Sequence, residues 1–261
     1  MPSHSFKTSE QSEQAAGDGA VISMADALAE RQAASLNAGL AHATPEDIIR
    51  AGIGAAGRDR FAIVSSFGTE SAVLLAAAAA VDPAIPVLLI DTGYLFPETL
   101  AYRDMLRERL GLADVRDILP GAAETAAEDP EGDLFVRAPD ACCGLRKVRP
   151  LARALDGFDA WANGRKRYQG GGRASIPVVE ADGARLKFNP LAALDREEIA
   201  ARFAVLGLPP HPLEKFGFAS IGCMPCTSRV APGEDARAGR WRGHGKVECG
   251  LHTGPLPTSG R

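Results

Sequence analysis

The sequence FAIVSSFGTES at residues 61–71 decides the fold, because a short apolar run ends in hydroxyls and a glycine turn before a helix-forming stretch. That stretch is rich in alanine and leucine and covers Ser71–Val81. The same pattern recurs in PVLLIDTG at residues 86–93, which precedes a helix-forming segment over Pro97–Leu110. Alternating strands and helices are typical of a parallel sheet with helices on both faces. The sequence therefore predicts an α/β protein with a doubly wound parallel sheet.

Weaker signals extend this pattern in both directions. Two helices are predicted before the first strand: apolar residues recur at helical spacing over residues 24–37, and Thr44 is a capping residue before a proline and two acids. Residues 114–119 and 158–163 are further strand candidates. Residues 150–155 are predicted to end a helix between these two strands.

The two ends of the chain lack this alternation. Residues 1–22 contain few large apolar side chains and are predicted to be a disordered leader. Beyond residue 163, glycines and prolines predict loops, with glycine-rich stretches at residues 170–172 and 233–245. The core of the fold is therefore expected between these two regions.

Length and composition are those of an ordinary globular protein. The 261 residues are enough for one large domain with a tail, and 46% are hydrophobic and 24% charged. The 29 basic and 33 acidic side chains give a net charge of −4, which disfavours nucleic acid and anionic lipid as partners. The sequence contains neither an apolar stretch of about 18 residues nor a secretory signal, so we expect no membrane span and a cytoplasmic location.

Two turns at predicted strand ends are candidate ligand-binding segments, because ligands of open parallel sheets lie beyond the carboxyl ends of the strands. In the first, Ser65 and Ser66 present hydroxyls, and Gly68 lets a ligand approach the backbone at a helix N-terminus, as a phosphate site requires. The second turn contains Asp91, Thr92 and Gly93. The glycine-lysine pair of a Walker loop is missing, and a purely structural strand-to-helix turn is the alternative interpretation.

The five cysteines indicate metal binding or redox chemistry rather than a disulfide framework. Cys142 and Cys143 are adjacent, and Cys223 and Cys226 form a Cys-X-X-Cys motif further along the chain. Four thiolates suit zinc or an iron–sulfur cluster, and an adjacent pair, which cannot form a zinc knuckle, favours iron–sulfur. A redox dithiol at the Cys-X-X-Cys motif, with an inert adjacent pair, is the alternative.

Basic residues are dense around these cysteines, and the fifth cysteine lies among them. The basic residues are Arg146, Lys147, Arg165, Lys166, Arg167, Arg173, Arg229, Arg237, Arg240, Arg242 and Lys246. Such side chains pair with phosphate or sulfate oxygens, although a solvated basic face is the ordinary role of a charge run. Cys249 follows the glycine-rich stretch, where a mobile segment could carry its thiol into a site; an incidental surface cysteine is the other interpretation.

Together these motifs resemble those of the assimilatory adenylyl-sulfate reductases, from about residue 60 to residue 252. The matching segments, in the family's order, are residues 65–71, 90–99, 142–147, 220–227, 239–241 and 248–252. The resemblance implies an adenine nucleotide alpha hydrolase-like (PP-loop) fold. It also implies a nucleotide-binding reductase domain with an iron–sulfur site over residues 23–232 and a mobile C-terminal tail over residues 233–261.

The resemblance further implies an activity and a role for individual residues. Members of the family reduce adenosine 5′-phosphosulfate (APS) to sulfite and AMP with thioredoxin as the reductant. Cys249 is the implied nucleophile, which becomes an S-sulfocysteine during turnover. The implied ligands of a [4Fe-4S] cluster are Cys142, Cys143, Cys223 and Cys226. The implied substrate-binding residues are Ser65, Ser66, Gly68, Asp91, Thr92, Gly93, Lys147, Arg167, Arg173, Arg237 and Arg240.

Three other functions stay open. The first is reduction of the 3′-phosphorylated nucleotide. Relatives that use this substrate lack the four cluster cysteines, so the presence of those cysteines favours APS. An iron–sulfur PP-loop enzyme that thiolates tRNA is the second, although the Ser-Gly-Gly-X-Asp-Ser signature of that group is absent. The third is a zinc module that binds nucleic acid, which the acidic balance disfavours. The sequence also leaves open whether the chain forms a homo-oligomer.

Overall fold

The computed structural model describes residues 23–246, 248–252 and 254–256. Among these residues, six strands form one sheet in the order β3-β2-β1-β4-β6-β5. All neighbouring strands are parallel except β5, which is antiparallel to β6 at the edge. The strands are β1 Phe61–Val64, β2 Val87–Ile90, β3 Val115–Ile118, β4 Ala160–Asn163, β5 Val179–Asp182 and β6 Arg185–Phe188. The chain therefore reverses its direction across the sheet between β1 and β4.

Helices connect the strands, and a π-helical turn at Gly144–Val148 joins α7 to α8. Thr44 caps α2 as the sequence predicts, since its hydroxyl accepts a hydrogen bond from the backbone N–H of Asp47 at 3.2 Å. The helices are α1 Met24–Leu40, α2 Pro45–Ala56, α3 Ser71–Val81, α4 Pro97–Leu110, α5 Ala122–Glu128, α6 Leu134–Arg137, α7 Pro139–Cys143, α8 Arg149–Ala154 and α9 Arg196–Val205. In the described part of the chain, none of these helices has the length and hydrophobicity to span a membrane.

The prediction of a doubly wound parallel sheet is confirmed, and β1 to β4 lie within the segments predicted as strands. The hairpin of β5 and β6 is a correction, because loops were predicted beyond residue 163. Its signal was an Asp-Gly pair between two short segments with alternating apolar residues. Gly183 follows Asp182 in the turn and has a φ of 61°, a conformation that glycine adopts without strain. The predicted leader lies outside the described residues.

The two faces of the sheet are covered differently. Alternate residues of β1 point to opposite faces, so Phe61 and Ile63 pack under α1 to α4, whereas Ala62 and Val64 pack under α8. The second face is completed by the C-terminal segment, where Leu256 is buried in the same apolar cluster. Leu256, at the end of the described part of the tail, therefore belongs to the hydrophobic core.

Candidate active site

A pocket of about 250 Å³ opens at the carboxyl ends of β1, β2 and β4. It lies where the strand order reverses, which is where open α/β sheets bind their ligands. Most of the predicted substrate-binding residues line it, together with the predicted nucleophile. These residues are Ser65, Ser66, Gly68, Thr92, Lys147, Arg173, Arg237, Arg240 and Cys249.

The turn between β1 and α3 is held by its hydroxyls and by one aromatic ring. The Oγ of Ser65 accepts a hydrogen bond from the backbone N–H of Phe67 at 3.2 Å. Phe67 has a φ of 49°, in the left-handed region that residues with side chains rarely adopt, and its fully buried ring fixes this conformation. The Oγ of Ser66 lies 3.3 Å from that of Ser71 at the start of α3. The turn thus offers hydroxyls at a helix N-terminus, which suits a phosphate.

Three predicted substrate-binding residues, Asp91, Gly93 and Arg167, lie outside the pocket lining, and their role in binding stays a prediction. Asp91 shapes the turn after β2, because its Oδ1 accepts a hydrogen bond from the backbone N–H of Gly93 at 2.9 Å. Gly93 has a φ of 77°, which accounts for the glycine. Arg167 is exposed, and its Nε donates a hydrogen bond to the carbonyl oxygen of Ile176 at 2.8 Å.

The two basic residues before Arg167 line the pocket instead. Arg165 and Lys166 follow β4 and are buried. The Nζ of Lys166 lies 2.9 Å from Oε2 of Glu70, whose Oε1 accepts a hydrogen bond from the hydroxyl of Tyr168 at 2.5 Å. Burial lowers the pKa of Lys166 although Glu70 acts to raise it. The run of three basic residues was visible in the sequence, but which of them turn inward depends on the chain path after β4.

Glu248, immediately before the predicted nucleophile, forms an ion pair with two of the pocket arginines. Arg173 donates from Nε to Oε1 of Glu248 at 2.7 Å and from Nη2 to Oε2 at 2.9 Å. The Nη2 of Arg237 lies 3.5 Å from Oε1 of the same carboxylate. Burial alone would raise the pKa of Glu248, but its bonds to Arg173 outweigh that effect, so the pKa lies below its usual value. No local pattern indicates that this carboxylate occupies the arginines, because its partners are distant in the chain.

Arg240 connects the tail to the loop before the Cys-X-X-Cys motif. Its Nη1 donates a hydrogen bond to the carbonyl oxygen of Ile221 at 3.3 Å, and its guanidinium lies 4.6 Å from the ring centre of Trp241. Gly222 is needed beside it, since a Cβ there would lie 2.2 Å from Nη2 of Arg240. The guanidinium therefore fills space that any side chain at residue 222 would take.

Lys147 lies on the π-helical turn and lines both the large pocket and a second, smaller cavity. It is buried, and burial alone would lower its pKa. Negative charge on the neighbouring sulfur atoms of Cys223, Cys249 and Cys143 raises the pKa above its usual value, so the ammonium stays charged. π-helical turns are rare and frequently lie at functional sites. This one places a buried cation between two groups of thiols.

The second cavity has a volume of about 10 Å³ and is lined by Cys142, Cys143, Cys223 and Cys226. The fold thus gathers the four predicted cluster ligands around one space. Burial, followed by the charge of Cys143, raises the pKa of Cys142 to about 11. The Sγ of Cys223 lies 3.2 Å from Oγ1 of Thr92. Within the described ranges, no three His, Cys, Asp or Glu side chains converge closely enough to hold a single metal ion.

Arg146 supports the wall of this cavity, and sequence reasoning did not identify its partners. Its Nη2 lies 2.8 Å from Oδ2 of Asp129, and its Nη1 donates a hydrogen bond to the carbonyl oxygen of Thr92 at 3.1 Å. Its guanidinium lies 4.2 Å from the ring centre of Tyr94. Asp129 is fully enclosed, and a buried ion pair of this kind is destabilising to break. The pair therefore fixes the segment that carries Cys142 and Lys147.

The described part of the C-terminal tail is docked on the rest of the protein. Cys249 lies half-buried in the large pocket. Lys246 forms an ion pair with Asp140, and the ring of His252 stacks on that of Trp161 with a centroid distance of 6.1 Å and an angle of 18°. Burial and surrounding cations lower the pKa of His252 well below its usual value, so its imidazole is neutral. The predicted mobility of the tail stays a prediction.

Comparisons with known proteins agree with this architecture. Residues 60–229 match the family described as "Phosphoadenosine phosphosulfate reductase domain". A Mesorhizobium japonicum protein named adenosine 5′-phosphosulfate reductase is 47% identical over 238 residues, which cover 91% of this chain and 94% of the relative. A Gloeobacter violaceus protein named phosphoadenosine 5′-phosphosulfate reductase is 42% identical over 215 residues, 80% of this chain and 88% of the relative. The crystal structure of a Candida auris phosphoadenylyl-sulfate reductase has the same fold, with a TM-score of 0.62 and 23% identity over 77% of this chain and 97% of its own.

Proposed function

The chain belongs to the phosphoadenosine phosphosulfate reductase family, and from that membership we propose that it reduces APS to sulfite and AMP in assimilatory sulfate reduction. One observation carries the proposal: the thiol of Cys249 and a set of cationic side chains line the same pocket at the strand ends. A nucleotide sulfate needs both groups. Its sulfur is attacked by a nucleophile while its phosphate takes up negative charge.

The first step is attack by the Cys249 thiolate on the sulfur of APS. A bond forms between Sγ and this sulfur as the bond from the sulfur to the phosphate oxygen breaks, and AMP leaves with the electron pair. The enzyme then carries an S-sulfocysteine at residue 249. This step is an exchange of ligands on sulfur and consumes no reductant.

Cations on both sides of the thiol stabilise the charge that AMP takes up. Lys147 and Arg237 interact electrostatically with Cys249, and Arg173 and Arg240 line the same pocket. Arginine binds phosphate and sulfate oxygens through two parallel hydrogen bonds, and lysine acts as a point charge. The hydroxyls of the turn between β1 and α3 suit the nucleotide's phosphate.

A dithiol protein of the thioredoxin class supplies the two electrons in the second step. One of its thiolates attacks Sγ of the S-sulfocysteine, and sulfite leaves with the electron pair of the broken sulfur–sulfur bond. Its second thiolate attacks the resulting mixed disulfide, which restores the Cys249 thiol and leaves the reductant as a disulfide. The dithiol therefore supplies both electrons of the reduction, and no other redox group is needed.

The four thiols of the second cavity fit a [4Fe-4S] cluster by their chemistry. Cys142, Cys143, Cys223 and Cys226 line one space, and burial followed by the charge of neighbouring cysteines raises the pKa of Cys142 and Cys226, while burial raises that of Cys143. An iron–sulfur centre takes four cysteine thiolates and removes the repulsion between their charges. When bound, it supplies a fixed charge distribution beside Lys147, and the electrons of the reaction come from the dithiol.

The 3′-phosphorylated nucleotide is the competing substrate, because the Gloeobacter violaceus relative carries the corresponding name at 42% identity. The pocket contains cations beyond those needed for one phosphosulfate, since Arg165, Lys166 and Arg196 also line it. The four cysteines favour APS through the resemblance of this sequence to the APS-specific enzymes.

The decisive experiment is anaerobic purification followed by a sulfite-release assay with each nucleotide and a reduced thioredoxin. We expect turnover with APS and about four iron atoms for each chain. We expect Cys249→Ser to release no sulfite and to form no protein adduct in mass spectra, while AMP binding stays intact. Zinc in place of iron, or sulfite production by this variant, would contradict the cluster and the nucleophile respectively.

A further inference from the structure

The described part of the C-terminal tail is anchored at Leu256 to the hairpin of β5 and β6. The backbone N–H of Leu256 donates a hydrogen bond to Oδ1 of Asp182 at 2.7 Å. The Nη2 of Arg185, at the start of β6, donates to the carbonyl oxygen of Leu256 at 3.5 Å. The Leu256 side chain is 3% exposed and packs in the apolar cluster under α8. The hairpin therefore holds both polar backbone groups of this residue while the core holds its side chain.

The other carboxylate oxygen of Asp182 orients the ring on which the tail stacks. Oδ2 accepts a hydrogen bond from the indole N–H of Trp161 at 2.8 Å. Trp161 is fully buried, and its ring stacks with that of His252. His252 comes three residues after Cys249 in the tail. One carboxylate thus contacts the tail directly at Leu256 and indirectly, through an indole, at His252.

The burial of Asp182 is unusual for its position. Asp182 is the last residue of β5 and pairs with Arg185 across the two-residue turn, and an aspartate at the end of an edge strand ordinarily faces water. Asp182 is 2% exposed, and a carboxylate in an apolar core is unfavourable unless donors satisfy it. The donors here are the indole of Trp161 and the backbone of Leu256, and the guanidinium of Arg185 adds an ion pair at 3.7 Å. Two of these contacts lead to the segment that carries the thiol.

We propose that Asp182 is a positioning residue for Cys249, which holds the C-terminal segment down so that the thiol stays in the pocket. The role rests on the proposed function, since it concerns the proposed nucleophile. The thiol segment is then held at both ends, by Arg173 through Glu248 and by Asp182 through Leu256. We call residues 248–256 the strap, and its two attachments are Glu248 to Arg173 and Leu256 to Asp182. In this proposal, a reductant reaches the S-sulfocysteine only after the attachment at Leu256 opens.

The test compares Asp182→Asn with wild type by hydrogen exchange of the peptide that spans residues 248–256. The amide offers one neutral acceptor in place of two charged ones, so it cannot satisfy both Trp161 and Leu256. We expect exchange in this peptide to become about tenfold faster, because one charge-assisted hydrogen bond is lost. Asp59→Asn, which alters an exposed carboxylate, is the matched control and should leave exchange unchanged.

Two activity measurements separate positioning from general damage. The rate of S-sulfocysteine formation in a single turnover should fall about tenfold, since the thiol spends less time in the pocket. The dissociation constant for AMP should stay within about twofold, because Asp182 does not line the nucleotide pocket. A chain that ends at Gly254 removes Leu256 and leaves Asp182 unchanged, and it should reproduce both results if Asp182→Asn fails to fold.

The outcomes are distinguishable from those for the proposed function. Unchanged exchange over residues 248–254 in both the Asp182→Asn and the shortened chain would overturn the positioning role, whatever the activity. Faster exchange in a protein that never reacts with APS would refute the proposed function and leave the anchor intact. Equal losses of AMP binding and of adduct formation would assign Asp182 a structural role only.

Discussion

Replacing Glu248 with glutamine tests whether the docked tail depends on its ion pair with the pocket arginines. The substitution keeps the size and the hydrogen-bonding oxygen of the side chain but removes its charge. The carboxylate accepts two hydrogen bonds from Arg173 at 2.7 and 2.9 Å, and it lies 3.5 Å from Arg237. We expect Glu248→Gln to release Cys249 from the pocket more often.

The size of the effect follows from these contacts. The side chains of Arg173 and Glu248 are 13% and 18% exposed, so water screens the pair only partly. Charge-assisted hydrogen bonds contribute about 1.5–3 kcal/mol each, and neutral ones about 1 kcal/mol. Exchanging the charged acceptor for a neutral one therefore weakens docking by about 2 kcal/mol. Because about 1.4 kcal/mol corresponds to a factor of ten, the ratio of undocked to docked tail rises about 30-fold.

The assay is the rate at which iodoacetamide alkylates Cys249, measured anaerobically by mass spectrometry of the peptide that contains it. If alkylation requires the undocked tail, its rate rises in proportion to the undocked fraction, up to about 30-fold. Glu234→Gln is the matched control, since Glu234 pairs with Arg242 in an ion pair whose side chains are 35% and 48% exposed. Exposed pairs contribute at most about 1 kcal/mol. Equal alkylation rates in Glu248→Gln and wild type would refute this account of docking.

Two further predictions concern buried titratable groups. Lys147→Gln should lower kcat with APS about 100- to 1,000-fold, because it removes one preorganised cation from the pocket. Lys215→Gln is the control and should leave kcat unchanged, since Lys215 is exposed and lies over Phe216. Steady-state sulfite release measures both variants, and a loss below tenfold in Lys147→Gln would show that Lys147 does not stabilise the developing charge. His211 has its pKa lowered by burial from 6.5 to about 4, and its Nδ1 accepts a hydrogen bond from the backbone N–H of Leu213 at 3.2 Å, so the folded state needs the neutral ring. Unfolded His211 binds a proton below pH 6.5, while the folded ring stays neutral down to about pH 4. His211 alone should therefore lower the free energy of unfolding by about 2 kcal/mol between pH 7 and pH 5, and His252 adds to the fall in the same direction. Urea titrations at the two pH values measure this fall, and an equal fall in His211→Asn would show that another group causes it.

The sequence predicted the part of the fold that depends on local pattern. The segments FAIVSS and PVLLI are short apolar runs between turn signals, and both contain buried parallel strands. The hairpin of β5 and β6 was harder to detect, since β6 consists of alternating basic and apolar residues whose charged members are themselves buried. Arg185 and Lys187 in that strand contact partners far along the chain or across the sheet, namely the carbonyl oxygen of Leu256 for the first and Trp161 and Glu180 for the second. Periodicity alone cannot identify such partners.

The same limit applies to the site. Motif order identified the four cysteines, Lys147 and Cys249, and the fold brings these residues around two adjoining cavities. Arg167 lies outside the pocket lining, because a residue in a loop turns inward or outward according to tertiary contacts that the local sequence does not encode. Glu248 and Asp182 were not selected, since each is an ordinary acidic residue until the chain brings its distant partners to it.

The apolar side chains on the buried side of the tail link its undocking to the solubility of the protein. Leu251 and Leu256 pack with the cluster under α8, and exposing a buried leucine is unfavourable by about 1.5–3 kcal/mol. When the tail undocks, the side chains of Leu251 and Leu256 would become exposed apolar surface, and molecules in this state would self-associate at high concentration. Light scattering should therefore rise with protein concentration most steeply when the sulfonated form accumulates, and it should subside once a reducing partner lets the strap close.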